Sequence, residues 1–200
     1  MEIRDAIAEL EREAKANGVP ILRETERAIL LSAAQETRPR RILEIGTGNG
    51  FTALLLAKTC PSAAIDTIEI DPTRHARAKK AAQDAGCADR IHYFLGDAAQ
   101  IIPTLSPSYD FLYLDGPKGQ YLRHLRLAEP LLSPRRAICA DNVLFRGLVQ
   151  GNNPIPHRYR TIVMRLREYL AYVEANYSTK IWEEGDGMAV SLYTLDTHRN

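Results

Sequence analysis

Neither sign of charge dominates this sequence of 200 residues: 26 Lys and Arg stand against 25 Asp and Glu, a formal net charge of +1. That leaves no global field of the kind that marks a nucleic-acid binder, so any basic surface must be local. Cysteines are few. Cys60, Cys87 and Cys139 are odd in number and none form a C-x-x-C pair, which argues against a disulfide framework and for reduced thiols in a cytosol. No apolar run approaches the roughly 20 residues that span a bilayer, so no membrane partner is expected. The opening Met1-Glu2-Ile3-Arg4-Asp5 is charged at once and has no apolar signal region, which leads us to expect a cytoplasmic protein. There is no internal repeat and no low-complexity tract.

What is present is an ordinary globular balance, 45% hydrophobic and 26% charged, at a length that suits one domain. Residues 3–17 read as a charged amphipathic helix ending at Gly18, and 23–35 as a second helix after the break at Val19-Pro20. Together they form an N-terminal cap (1–38) on an α/β core (40–200). Strands are expected at 41–45, 64–70, 91–95, 109–114 and 137–140. Helices are expected at 51–59, 72–85, 98–105 and 119–132. Apolar strands alternating with helices imply a mostly parallel, Rossmann-like sheet covered on both faces. The last third, with a helix at 158–173 and strands at 179–183 and 188–195, implies seven strands with a final antiparallel one.

The segment Glu44-Ile45-Gly46-Thr47-Gly48-Asn49-Gly50 follows the first strand and opens a helix. Its glycines allow a tight turn and close approach of a ligand to the backbone. The spacing is G-x-G-x-G, not the G-x-G-x-x-G of a dinucleotide site. The acid two residues before Gly46 suits a ligand with a cationic amino-acid portion. Glu69 ends the second strand 23 residues after Gly46, near the spacing at which a carboxylate grips ribose hydroxyls. Gly96-Asp97-Ala98 follows the third strand, at the same sheet edge. Each feature has a plain structural alternative: a tight turn, a solvated acid, a helix cap. Their recurrence at successive strand ends points to one cleft. In these residues the chain resembles the class I S-adenosylmethionine-dependent methyltransferases, over about residues 40–142. The resemblance implies cofactor contacts at Glu44, Gly46, Gly48, Gly50, Thr52, Glu69, Asp97, Ala98 and Asp115. Glu44 and Gly46 would lie near the methionine portion, Glu69 at the ribose, and the Asp97-Ala98 loop beside adenine.

The fourth strand ends in Asp115-Gly116-Pro117-Lys118 and the fifth in Asp141-Asn142-Val143-Leu144. Asp115, Asp141 and Asn142 offer three oxygen donors at one sheet edge, a set that suits Mg²⁺ and leaves positions for substrate. The alternatives are a turn at 115–117 and a strand-end cap at 141–142, with Lys118 an ordinary surface lysine. The spacing of Asp115 to Lys118, followed by Asp141-Asn142-Val143-Leu144, resembles the metal-dependent O-methyltransferases of the catechol and caffeoyl-CoA group. This resemblance implies metal ligation by Asp115, Asp141 and Asn142, with Lys118 as general base. Asp186-Gly187 is also similar to that group, with no role assigned to Asp186. Gly116-Pro117 departs from it and stiffens the loop.

The acceptor implied has two adjacent oxygens: a catechol-like small molecule, or 5-hydroxyuridine in tRNA. Lys118-Gly119-Gln120-Tyr121 and the run from Asp141 to Gly147 look closest to bacterial tRNA 5-hydroxyuridine methyltransferases. On the helix from Arg158, an apolar stripe of Ile162, Val163, Leu166, Tyr169, Leu170 and Val173 is flanked by Arg158 and Arg165 on one side and Arg160 and Arg167 on the other. Arg146 and His157 precede it. These cations either meet phosphates or snorkel at the edge of a solvated helix. The N-terminal helices serve either as a homodimer interface, as in relatives, or as a lid on the acceptor pocket. A nicotinamide oxidoreductase would share the fold but leave Asp141-Asn142 unexplained. A non-catalytic cofactor binder would have no need of the three metal-type ligands, and an interaction module would have no need of acids at strand ends.

Overall fold

The computed structural model describes residues 1–106, 108–151 and 154–194. Helices α1 (Ile3–Asn17) and α2 (Glu24–Thr37) come first. Then follow β1 (Arg41–Ile45), α3 (Phe51–Thr59), β2 (Ala64–Glu69), α4 (Pro72–Asp84), β3 (Ile91–Leu95), α5 (Ala98–Ile101), β4 (Tyr109–Leu114), α6 (Tyr121–Ala128) and β5 (Leu132–Asp141). Helix α7 (Arg160–Asn176) and strands β6 (Ser178–Trp182) and β7 (Met188–Thr194) close the order.

The seven strands form one sheet in the order β3-β2-β1-β4-β5-β7-β6. Pairings from β3 through β5 are parallel, and β7 runs antiparallel to both β5 and β6. Alternate residues of each strand point to opposite faces. Ile42, Phe111, Tyr113, Ala137 and Cys139 therefore join a core with Leu10 of α1, Leu30 and Ala34 of α2, and Leu54 of α3. Leu43, Ile45, Leu112, Leu114 and Ile138 join a second core with α6 and α7. Residues 51–57 of α3 are buried all round, as expected of a helix inside a core. Helices α1 and α2 thus contribute directly to the first core, with α2 lying against the sheet and α1 on α3 and α4.

Several boundaries differ from the expected ones. The expected helix over 119–132 is a single 3₁₀ turn (Lys118–Gln120), then α6, then a second 3₁₀ turn at Glu129–Leu131. Strand β5 begins at Leu132, five residues early: Leu132 pairs with Tyr109 of β4, and Arg135 and Arg136 pair with Thr194 and Tyr193 of β7. Helix α7 is shifted toward the C-terminus by two to three residues. The expected strand residue Leu195 lies outside the described residues. The three cysteines are free and buried. No described helix is long and apolar enough to cross a membrane.

Candidate active site

β1 pairs with β2 on one side and with β4 on the other, so the chain reverses its direction of winding beside β1. Ligands of open α/β sheets bind at such a switch point, outside the strand carboxyl ends. Gly46 sits there. The amide of Asp115 donates to the carbonyl of Ile45 at 2.9 Å. Gly46 has φ +100, and a Cβ on it would lie 2.5 Å from the Asp115 carbonyl oxygen. Only glycine lets the two loops approach this closely.

The acids divide by depth. Glu44 is wholly buried. Its Oε2 accepts from the Thr67 hydroxyl at 2.6 Å, and the Thr47 hydroxyl lies 2.6 Å from that of Thr67. Glu44 therefore stands beneath the glycine loop and reaches it through two threonines. Burial raises its pKa to about 8, against the Thr67 hydrogen bond, with the charges of Asp115 and Glu69 adding to the rise. Glu69 lies nearer the opening. Its Oε2 accepts from the Gly48 amide at 2.8 Å and its Oε1 from the amides of Ile70 and Asp71 at 3.0 Å each. A carboxylate has about four lone-pair positions, so it retains capacity for a hydroxyl donor. Asp97 caps α5, accepting from the Ala99 amide at 2.8 Å, and Ala98 is buried behind it. Thr52, in the first turn of α3, is also buried. Two residues escaped the sequence reading: Ile70 and Leu95, 67% and 51% exposed. Ile70 follows the last residue of β2, and Leu95 ends β3 opposite Glu69, so both offer apolar surface beside that acid.

At the ends of β4 and β5, Lys118 Nζ donates to Asp115 Oδ1 at 2.8 Å. Lys118 also lies 5.5 Å from the centroid of the Tyr121 ring, and the Tyr121 hydroxyl donates to the Asp141 carbonyl at 2.9 Å. Tyr121 thus joins the two strand ends. Asp141 is buried, which raises its pKa to about 7. Asp115 adds to that rise, while Lys118 and the Asn142 amide oppose it. Asn142 has φ +56, a left-handed conformation that asparagine tolerates better than most residues. Among the described residues no three His, Cys, Asp or Glu side chains group so as to hold a metal. The expected set contributes two carboxylates and one amide. The charge of Asp115 opposes ionisation of the buried Asp141, and such a pair of acids suits a divalent cation, which would offset that repulsion.

The wall around Asp141 comes from three distant segments. The amides of Val143 and Leu144 donate to the carbonyls of Gly187 and Asp186, at 3.0 and 2.8 Å. The Arg146 amide donates to Asp186 Oδ1 at 3.2 Å, and Arg23 lies 3.5 Å from Asp186 Oδ2. Gly187 is required here, since a Cβ on it would fall 2.3 Å from Leu144 Cγ. Asp186, which had no assigned role, therefore fixes the loop that follows Asp141. Glu26 of α2, buried against Gly185, adds its charge to the field on Asp141. In the sequence it reads as one more charge on a helix.

The arginines in and before α7, which the sequence leaves as either phosphate contacts or cations bordering a solvated helix, have separate contacts. Arg167 donates to the carbonyls of Leu148, Val149 and Gly151. Arg165 pairs with Glu168 at 2.8 Å. Arg146 and Arg158 lie over Tyr159.

Residues 5–192 match the model of a protein family described as O-methyltransferase. The catechol O-methyltransferase of Sus scrofa is 35% identical over 127 residues, 60% of this chain and 68% of that protein. The catechol O-methyltransferase of Niastella koreensis is 29% identical over 171 residues, 80% of this chain and 76% of that one. Among solved structures, the SAH-bound methyltransferase PaMTH1 of Podospora anserina has a TM-score of 0.83 at 23% identity, covering 95% of this chain and 88% of that one. An O-methyltransferase from Bacillus cereus in complex with SAH has a TM-score of 0.79 at 22% identity, with 95% and 91% covered. These structural likenesses bear on the fold.

Proposed function

This chain belongs to the O-methyltransferase family and is an S-adenosylmethionine-dependent enzyme, and we propose that it methylates a hydroxyl that has a second oxygen beside it, with a divalent cation, Mg²⁺ by preference, at the acceptor site. The observation that carries this reading is the convergence of Asp115, Lys118 and Asp141 at two neighbouring strand ends, next to the switch point at Gly46.

In this reading Asp115, Asp141 and Asn142 hold the cation, and Gly46, Gly48, Glu69, Ile70 and Leu95 line the cofactor cleft. When bound, the cofactor would supply an activated methyl group, and the cation a Lewis acid that would lower the pKa of the acceptor hydroxyl. The chain's own task is alignment, an effect worth up to roughly 7–11 kcal/mol. Lys118, once its ammonium has lost its proton, would take the hydroxyl proton at Nζ; a cation bound at Asp115 would favour that neutral amine. Its half-buried amine beside Asp115 is held at the place where that proton leaves. Asp186 and Gly187 keep the loop after Asp141 in register, so the donor set does not drift.

The relatives named catechol O-methyltransferase support a small catechol-type acceptor. The second reading, 5-hydroxyuridine in tRNA, draws support from the exposed Arg146 and Arg158 beside the same loop. Homodimerisation through the N-terminal helices remains part of the proposal only for the outer face of α1, because α2 packs on the sheet. The test offers labelled S-adenosylmethionine with catechol and, separately, with tRNA from cells lacking this protein. Label in catechol alone supports the first reading, and label in tRNA supports the second. Label in neither, with cofactor bound, contradicts both.

A further inference from the structure

Among the described residues, one row of the sheet holds Glu44 Oε1 and the hydroxyls of Tyr93 and Tyr113, all buried and without a hydrogen-bond partner. Glu44 stands in register with Thr67 and Tyr113, and Thr67 with Tyr93, so the four side chains share one face of the sheet. Glu44 is wholly buried. Its one printed partner is the Thr67 hydroxyl, on Oε2. The charges that act on it, Asp115 and Glu69, are both negative. A buried carboxyl with one donor and no cation keeps its proton, and burial raises the Glu44 pKa to about 8.

The hydroxyls of Thr67 and Thr47 continue from Oε2 as a chain, each step 2.6 Å, and Thr47 belongs to the glycine loop. Such a chain has two polarities, because a hydroxyl proton rotates to suit its neighbours. With Glu44 ionised, Thr47 donates to Thr67 and Thr67 to Glu44, which leaves the lone pairs of Thr47 for a donor above. With Glu44 neutral, its O–H donates to Thr67, Thr67 donates to Thr47, and the Thr47 proton points onward. A cation on the loop favours the first arrangement, and a ligand without net charge favours the second. S-adenosylmethionine carries a sulfonium charge. S-adenosylhomocysteine, with the methyl gone, does not.

We propose that Glu44 is a positioning residue that senses the charge of the cofactor: when S-adenosylmethionine lies on the glycine loop, Glu44 gives its proton to Thr67, Thr67 passes its own to Thr47, and Thr47 passes one to water. When methyl transfer has removed the sulfonium charge, a proton returns by the same path. The floor of the cleft thus favours the methyl donor over its product and eases their exchange. This rests on the reading that Gly46 and Gly48 line the cofactor cleft. The other ionisable groups beside Glu44 are Tyr93 on β3 and Tyr113 on β4, Asp115 and Glu69 at the strand ends, and His75 of α4, edge-on to Tyr93 at 6.0 Å. A variant at Glu44 separates its proton from theirs.

The experiment is titration calorimetry with each form of the cofactor at pH 6.5, in two buffers of different ionisation enthalpy. EDTA keeps Asp115 and Asp141 free of cations. This pH lies below the usual α-amino range of about 7.7–8.0, so the ligand releases little of its own. The buffer dependence measures the protons released. S-adenosylmethionine is expected to release about half a proton or more per molecule bound, and S-adenosylhomocysteine markedly less. Glu44→Gln has no such proton, and its preference for S-adenosylmethionine over S-adenosylhomocysteine should fall about three- to fivefold. Thr67→Val keeps Glu44 and the side-chain shape but removes the donor that supports the ionised carboxylate. It should also lose the release, and it carries the test if Glu44→Gln does not fold. Equal release with both ligands overturns the charge sensing, as does release that survives in Glu44→Gln. Undiminished release in Thr67→Val overturns the hydroxyl chain. If both ligands bind the wild type and no proton leaves, the inference alone fails. If neither ligand binds, the cofactor-cleft reading fails and the inference with it.

Discussion

The ammonium of Lys118 and the carboxylate of Asp115 meet at 2.8 Å, three residues apart across a turn stiffened by Pro117. A base at this point is useful only if its partner acid is shared with something else. Asp115 also abuts Gly46 and adds to the field on Asp141, so one residue connects the glycine loop, Lys118 and Asp141, the proposed cofactor loop, base and donor set. Lys118→Met keeps the stem and removes the amine. It is expected to lower turnover by about 10²–10⁴-fold, the usual contribution of a positioned base, with affinity for S-adenosylhomocysteine unchanged. A rate within threefold of wild type would remove Lys118 from the chemistry.

Gly46→Ala tests the approach of the two loops. Its Cβ would enter within 2.5 Å of backbone atoms that cannot rotate away, at φ +100. The conformation alone costs about 1–3 kcal/mol, and the clash adds to it. Thermal denaturation should show a clear loss of stability, and cofactor titration should show weakened binding in the protein that remains folded.

Glu44 gives a pH prediction with a defined sign. Its folded pKa is raised from 4.5 to about 8, first by burial. Between those values the unfolded chain has released the proton while the fold still holds it. The folded state therefore binds more protons, and its stability falls as pH rises through this window. Glu44→Gln has no proton to lose. Its melting temperature between pH 5 and pH 8 should fall less than that of the wild type, both measured without cofactor. Parallel curves would place the wild-type pH dependence elsewhere.

Arg167 tests whether the arginines of α7 serve structure or a ligand. Its three carbonyl contacts hold the loop after Val143. Arg167→Ala should cost about 1.5–3 kcal/mol, typical of hydrogen bonds from a charged group, and should raise the KM of the acceptor. The salt dependence of any RNA binding should not change. A reduced salt slope would make Arg167 a phosphate contact.

Much of the site was legible in the sequence because its parts are local. The glycine loop, Glu69, Asp115 to Lys118 and Asp141-Asn142 each lie in a short run at a strand end, and alternation of strands with helices places those ends on one edge. What the sequence did not reveal depends on contacts between distant segments. β7 inserts between β5 and β6, and no local pattern encodes that order. Its pairing with β5 reaches back to Arg135, and Leu132 pairs with Tyr109 of β4, two residues before the strand expected from the sequence in the first case and five in the second. Asp186 and Glu26 look like surface acids until β7 and α2 carry them to the wall beside Asp141. Glu44 is recognisable as the acid before the loop, but its depth beneath the floor follows only from the packing of α2 and α3 over the sheet.

The central claim is that the donor set at the ends of β4 and β5 binds a divalent cation needed for methyl transfer. The direct measurement is a single turnover from labelled S-adenosylmethionine to catechol by protein stripped with EDTA, with and without added Mg²⁺, in the wild type and in Asp141→Ala. The account predicts transfer only in the wild type and only with Mg²⁺ restored, while both proteins bind the cofactor. Full transfer by the stripped wild type, or by Asp141→Ala at saturating Mg²⁺, would contradict it.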